Sequence, residues 1–150
     1  MIEEGMTIKG AITLLLTKAS GEVEVLHKDN IIVSGGFDFV ADAIGNSSAR
    51  PAVMGWIAVG TGSTAAASTQ TALVTELKRN AATYAHTAGT KVFTFTANFL
   101  AGDATGAITE AGVFNAATAT AAAMFDRVVF PVVNKGSDDS LTAVFTFTMS

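Results

Sequence analysis

An all-β sandwich of about eight antiparallel strands, with one or two short helices, is the fold this sequence predicts. Three observations carry that expectation. Strand-length runs alternate apolar and polar residues with a period of two, as in Glu22-Val23-Glu24-Val25 and Phe93-Thr94-Phe95-Thr96. Short turns rich in Gly, Asn and Asp separate these runs. The pentapeptide VFTFT stands at 92–96 and again at 144–148, but its flanks differ, so the two copies are strands of like pattern and not units of a repeat array.

The elements follow in order. Residues 7–17 and 22–28 flank Lys18-Ala19-Ser20-Gly21 and read as a hairpin. Asp29 to Val33 ends at Ser34-Gly35-Gly36, after which Phe37, Val40, Ala41 and Ile44 recur at helical spacing. That pattern predicts a short amphipathic helix over 37–45, closed by Gly45. Residues 46–51 form a loop before a buried strand at 55–59 and the turn Gly60-Thr61-Gly62-Ser63. The low-complexity stretch 63–72 reads either as an exposed loop or as the start of a helical turn through Leu73, Val74 and Leu77. Residues 79–86 and 91–100 make a second hairpin around Ala88-Gly89.

The chain from Ile108 to Ser150 reads as three consecutive strands, ITEAGVFN, AMFDRVVFPVV and SLTAVFTFTMS. Phe93, Phe95, Phe145 and Phe147 are assigned to the core, with Thr94 and Thr146 facing outward. Pro131 lacks an amide proton and belongs at a strand end, an edge or a bulge. Gly112, inside an apolar run, marks a bulge or a close backbone approach. Many short strands joined by Gly-rich turns suit a sandwich, a jelly roll being one form of it, and 150 residues suit a single domain over 1–150.

Composition narrows the function. Nine basic against thirteen acidic residues give a net charge of −4, and the lone basic cluster is Lys78-Arg79, which argues against nucleic-acid or anionic-membrane partners. Charged residues make up 15% of the chain, where about 25% is ordinary. Ala, Thr and Gly fill 61 of the 150 positions. Such a neutral surface has two readings: an oligomer, dimer or trimer, that spends its life against other chains, or a β protein solvated by threonine hydroxyls. The opening MIEEGMTIKG is acidic where a signal peptide is basic, and no apolar run reaches the roughly 18 residues of a membrane span. Neither a targeting segment nor a membrane partner is expected. The absence of cysteine rules out a disulfide scaffold and is compatible with folding in a bacterial cytoplasm.

Little in the sequence points to catalysis. His27 and His86 stand far apart, with no Cys, Asp or Glu at ligand spacing, and read as exposed or hydrogen-bonded strand-end residues. Val59-Gly60-Thr61-Gly62-Ser63-Thr64 lacks the lysine and glycine spacing of a phosphate loop, so a tight turn accounts for both glycines. Asp103, Asp138 and Asp139 read as turn caps, without the ligand spacing of a calcium loop. Glu110 falls on the apolar face of its strand unless Gly112 resets the register, and if buried it needs Arg79, Arg127 or a backbone amide. A structural ion pair is the expectation there. No catalytic, cofactor-binding or metal-binding residue is assigned, and the chain is not expected to be an enzyme.

The order of segments carries a resemblance. An opening hairpin, NIIVSGGFDFVADAI, WIAVGTGS, an aromatic hairpin and ITEAGVFN with its closing strand pair resemble small structural proteins of tailed bacteriophages, among them capsid cement or decoration proteins. The resemblance spans most of the chain and rests on short motifs rich in small residues. It implies a noncatalytic virion component that binds and stabilises the assembled shell, with the major capsid protein or another virion protein as partner. It places the protein on the outer capsid surface rather than the tail, after synthesis in the host cytoplasm. ITEAGVFN is also similar to segments of tail-fibre and tail-collar proteins, which implies the alternative of a tail or baseplate module recognising a host surface.

Overall fold

A computed structural model describes residues 5–150; the acidic opening, residues 1–4, lies outside the described residues. Among the described residues, nine strands and one helix follow one another as β1 Ile8–Thr17, β2 Val23–Ile32, α1 Ser34–Gly45, β3 Trp56–Gly60, β4 Glu76–Ala81, β5 Thr83–His86, β6 Val92–Phe99, β7 Gly106–Phe114, β8 Met124–Lys135 and β9 Ser140–Met149. All pairings are antiparallel, in the order β4-β3-β7-β8-β2-β1-β9-β6-β5. The fold is thus the all-β architecture expected, nearly closed in sandwich-like form.

Two features bring this sheet close to closure. Strands β4 and β5, at the two ends of the order, are consecutive in the chain and separated by Ala82 alone, so the polypeptide carries one layer into the other there. On the far side β2 serves both layers, pairing with β1 from Val23 to Asn30 and with β8 only at Ile31 and Ile32. The layers diverge from that two-residue seam.

The core follows from strand alternation. Ile12, Leu14 and Leu16 of β1 point inward beside Phe145, Ala143 and Leu141 of β9, which lie in turn beside Phe95, Ala97 and Phe99 of β6. The middle row, Leu14 with Ala143 and Ala97, is the one that sets a large side chain beside small ones. Gly10 faces Phe147, and a Cβ at Gly10 would lie 2.7 Å from that ring. Phe147 stacks on Phe145 and meets Phe125 of β8 edge to face, which joins the two layers. Phe95, Phe145 and Phe147 are buried as expected, whereas Phe93 is only partly buried and lies at the rim.

Of the other expectations, some are corrected and some hold. The helical turn through Leu73, Val74 and Leu77 is absent: Leu77 lies in β4, because pairing with β3 overrides the weak local pattern. The strand expected over 79–86 is two strands bent at Ala82. The helix forms, starting at Ser34, but Phe37 and Ile44 are 48% and 79% exposed while Phe39, Val40 and Ala43 turn partly inward. Pro131 sits in a bulge, where Ile108 pairs with Val133 and Glu110 with Val129. Gly112 is a close approach: its Cβ would lie 2.6 Å from the Asp126 carbonyl oxygen.

Candidate functional site

The irregularity that sets Pro131 and its neighbours against Thr109 decides where Glu110 points. It falls between Ile108 and Glu110, so the register resets before Gly112, not at it, and Ala111 and Val113 keep the core face while Glu110 turns to the other. There Glu110 is fully buried beneath the segment 61–75. Its carboxylate accepts the amides of Gly62 at 3.0 Å, Val74 at 2.9 Å and Thr75 at 2.7 Å. Arg127 donates to it through Nε at 3.0 Å and Nη2 at 2.8 Å, and spends Nη1 on the Thr64 carbonyl and the Gln70 side chain. Burial pushes the Glu110 pKa up, but the amides and the guanidinium outweigh it and hold the carboxyl below its usual range. Every oxygen is engaged in holding a loop, so this pair ties structure together.

The glycines of the 60–63 turn are explained by close packing, Gly60 against the Thr75 carbonyl and this carboxylate, Gly62 against the carboxylate and Val74. A Cβ at Gly60 or Gly62 would lie 2.6 Å from Glu110 Oε1, so space, more than turn geometry, requires glycine at both. Arg79, the other candidate partner, lies elsewhere: its guanidinium stacks 3.9 Å above Phe114, pairs with Glu76 and donates to the carbonyls of Ala116 and Thr118.

Asp126 was not singled out in the sequence. It is fully buried and accepts the Val113 amide at 3.0 Å and the Asn30 side-chain amide, while Asn30 Oδ1 has no partner. Burial drives its pKa well above the ordinary carboxylate value, the two hydrogen bonds only partly opposing this. The remaining carboxylates are local ties. Asp139 accepts the amides of Gly136 and Ala19, which lower its pKa. Asp103 is lowered by Asn80 and by Lys78, 3.5 Å away, while Asp138 is exposed. His27 contacts Thr13 at 3.1 Å on β2, and His86 contacts the Val92 carbonyl at 2.7 Å on β5, so the fold keeps them strands apart. Among the described residues, no three His, Cys, Asp or Glu side chains gather as a metal site.

The concave feature beside α1 is apolar. A groove of about 530 Å³ opens between α1, the segment ahead of β3, and the inner faces of β5 and β6. Phe39 and Val40 form one wall, Tyr84 and Phe93 the other, and Val53 the lip, with Phe125 among the lining residues. Val53 is 79% exposed and Tyr84 57%. Among the described residues, Lys91 is its cationic lining group, His86 and Tyr84 also line it, and no carboxylate does. This volume falls within the range of small-molecule and peptide-side-chain pockets. Sequence reasoning missed the groove because its walls come from segments far apart in the chain.

No protein-family model matches the chain, and neither does any curated protein or solved structure.

Proposed function

We propose that this protein is a noncatalytic structural component of a bacteriophage virion, a cement or decoration protein that binds the assembled shell as an oligomer. One observation supports this above others: the exposed apolar rim around the groove, where Val53 and Tyr84 flank the opening and Ile44 adjoins its helical wall. Large exposed apolar residues beside a concave apolar surface suit contact with another protein. The best-organised polar cluster, Glu110 with Arg127, is occupied in holding the segment 61–75 and leaves no free acid or base for chemistry. Low charge adds that close approach of neutral surfaces costs little desolvation.

On a symmetric shell each copy needs only a modest footprint, because many equivalent contacts act together. Quantifying the chain in purified particles tests the reading: a copy number that scales with shell subunits supports it. A small fixed number confined to the tail would favour the host-recognition module instead.

A further inference from the structure

We propose that the free edge of β5 and the groove beside it accept an extended segment of the partner polypeptide as an added strand, apolar at alternate positions and carrying a carboxylate where it passes Lys91. The identity of that partner as the shell protein rests on the reading above; the binding mode does not.

Three observations converge on this surface. β5 is an end strand of the sheet, paired through Thr83, Tyr84, Ala85 and His86 with β6 on one side only. After the Ala82 amide bonds the Gly55 carbonyl at 2.8 Å, no further backbone hydrogen bond joins the segment before β3 to β5. Among the described residues, half of the backbone groups of this short edge therefore face outward unpaired. The opposite end strand, β4, carries the exposed Glu76 and Lys78, charges of the kind that guard an edge against pairing. β5, Thr-Tyr-Ala-His, carries no such guard.

Side-chain direction then links the edge to the groove. Tyr84 and His86 lie across from Phe95 and Phe93, and all four line the groove. A strand added outside β5 continues this alternation, so every second side chain of the incoming segment enters the apolar space facing Val53, Val40 and Phe39. Main-chain bonds would supply affinity and the groove would select apolar residues at those positions.

Charge sets the remaining preference. Lys91 lies at the end of the β5–β6 connection with φ 61°, a left-handed backbone uncommon outside glycine, and its carbonyl accepts the Met149 amide at 2.9 Å. The cation thus stands on a fixed backbone, and among the described residues no carboxylate lines the groove to neutralise it. An acidic residue on the incoming segment matches it; a basic one is repelled.

The test uses the purified protein with a synthetic peptide alternating valine and threonine and ending in glutamate. Its comparators are the same peptide ending in lysine, two versions N-methylated at alternate residues in either register, and dodecanoate. Binding is read by titration with backbone amide NMR. The expected result is saturable binding of the glutamate peptide, with shifts concentrated in residues 83–93 and 53–54. One N-methylated register should lose at least about tenfold in affinity, equal to about 1.4 kcal/mol. Lys91→Glu should reverse the preference between the two peptide ends, and Val53→Asp, at an exposed position, should weaken both without unfolding the chain. Equal binding of both N-methylated registers, no peptide binding, or binding of dodecanoate alone would overturn strand addition. Shells that retain wild type and the Val53→Asp variant equally would also overturn it, while leaving the shell-binding reading intact; shells that retain neither, with peptide binding preserved, would sink that reading and leave strand addition standing.

Discussion

Replacing Arg127 by Leu leaves a fully buried Glu110 carboxylate without its cation. Breaking a buried pair from one side costs about 3–5 kcal/mol in general. Here the carboxylate retains three amide donors, from Gly62, Val74 and Thr75, so the cost of Arg127→Leu is set at the lower end, about 3 kcal/mol. Glu110→Leu is the harsher change. It strands the guanidinium with only the Thr64 carbonyl and Gln70 as acceptors, and it also leaves three backbone amides unpaired, at about 1–3 kcal/mol for each that water cannot reach. The double replacement should not recover wild-type stability, as many isolated buried pairs do, because the orphaned amides persist. Urea unfolding followed by circular dichroism and by the fluorescence of Trp56, the single tryptophan, gives the measurements. A loss below about 1 kcal/mol for Arg127→Leu, or a double variant as stable as wild type, would refute the assignment of this cluster as the tie that holds residues 61–75.

Four further outcomes are expected. Phe145→Ala or Phe147→Ala should cost about 3–5 kcal/mol, Phe93→Ala clearly less because it lies at the rim, and Thr94→Ala or Thr146→Ala about 0.5 kcal/mol or less, all by urea unfolding. Gly62→Ala should destabilise by about 1–3 kcal/mol, since its Cβ would press on both Glu110 and Val74 at 2.6 Å; a neutral result would place the need for glycine elsewhere. The two buried carboxyls should give opposite pH slopes in thermal melts. The stability from Glu110, whose folded pKa is lowered, is present above the ordinary carboxylate range and is lost as pH falls through the folded value; that from Asp126, whose pKa is raised, is full below that range and declines as pH rises toward the folded value. Asp126→Asn keeps an acceptor for the Val113 amide and, with the Asn30 amide turned over, donates to Asn30 Oδ1 in place of the bond Asn30 now donates; by removing the buried ionisable group it should flatten the decline and raise the melting temperature at neutral pH.

Sequence legibility followed the reach of each interaction. β1, β6 and β9 could be read because their inner residues alternate within one strand, and the same alternation fixes their rows in the core. β4 could not: Glu76-Leu77-Lys78 is exposed, and its strand state comes from pairing with β3. The face of Glu110 depends on the bulge that holds Pro131 of β8, so its own strand carries no signal of the reset. Yet the sequence did limit its partners to Arg79, Arg127 or backbone amides, because a buried carboxylate has few ways to be satisfied. The helix spacing was legible while its docked face was not, since Phe39, Val40 and Ala43 are chosen by the groove walls. The buried Asp126 gave no sign for a similar reason: its environment is assembled from β2 and β7.

Co-sedimentation with assembled empty shells and with unassembled shell subunits, at low and high salt, tests the proposed role most directly. A footprint shared between neighbouring subunits exists only on the lattice, so the shells should retain the protein and the free subunits should not. With a mostly apolar contact and one paired cation, raising the salt should weaken retention only modestly. Retention by neither form, together with binding to host cell envelopes, would contradict the account and favour the tail module.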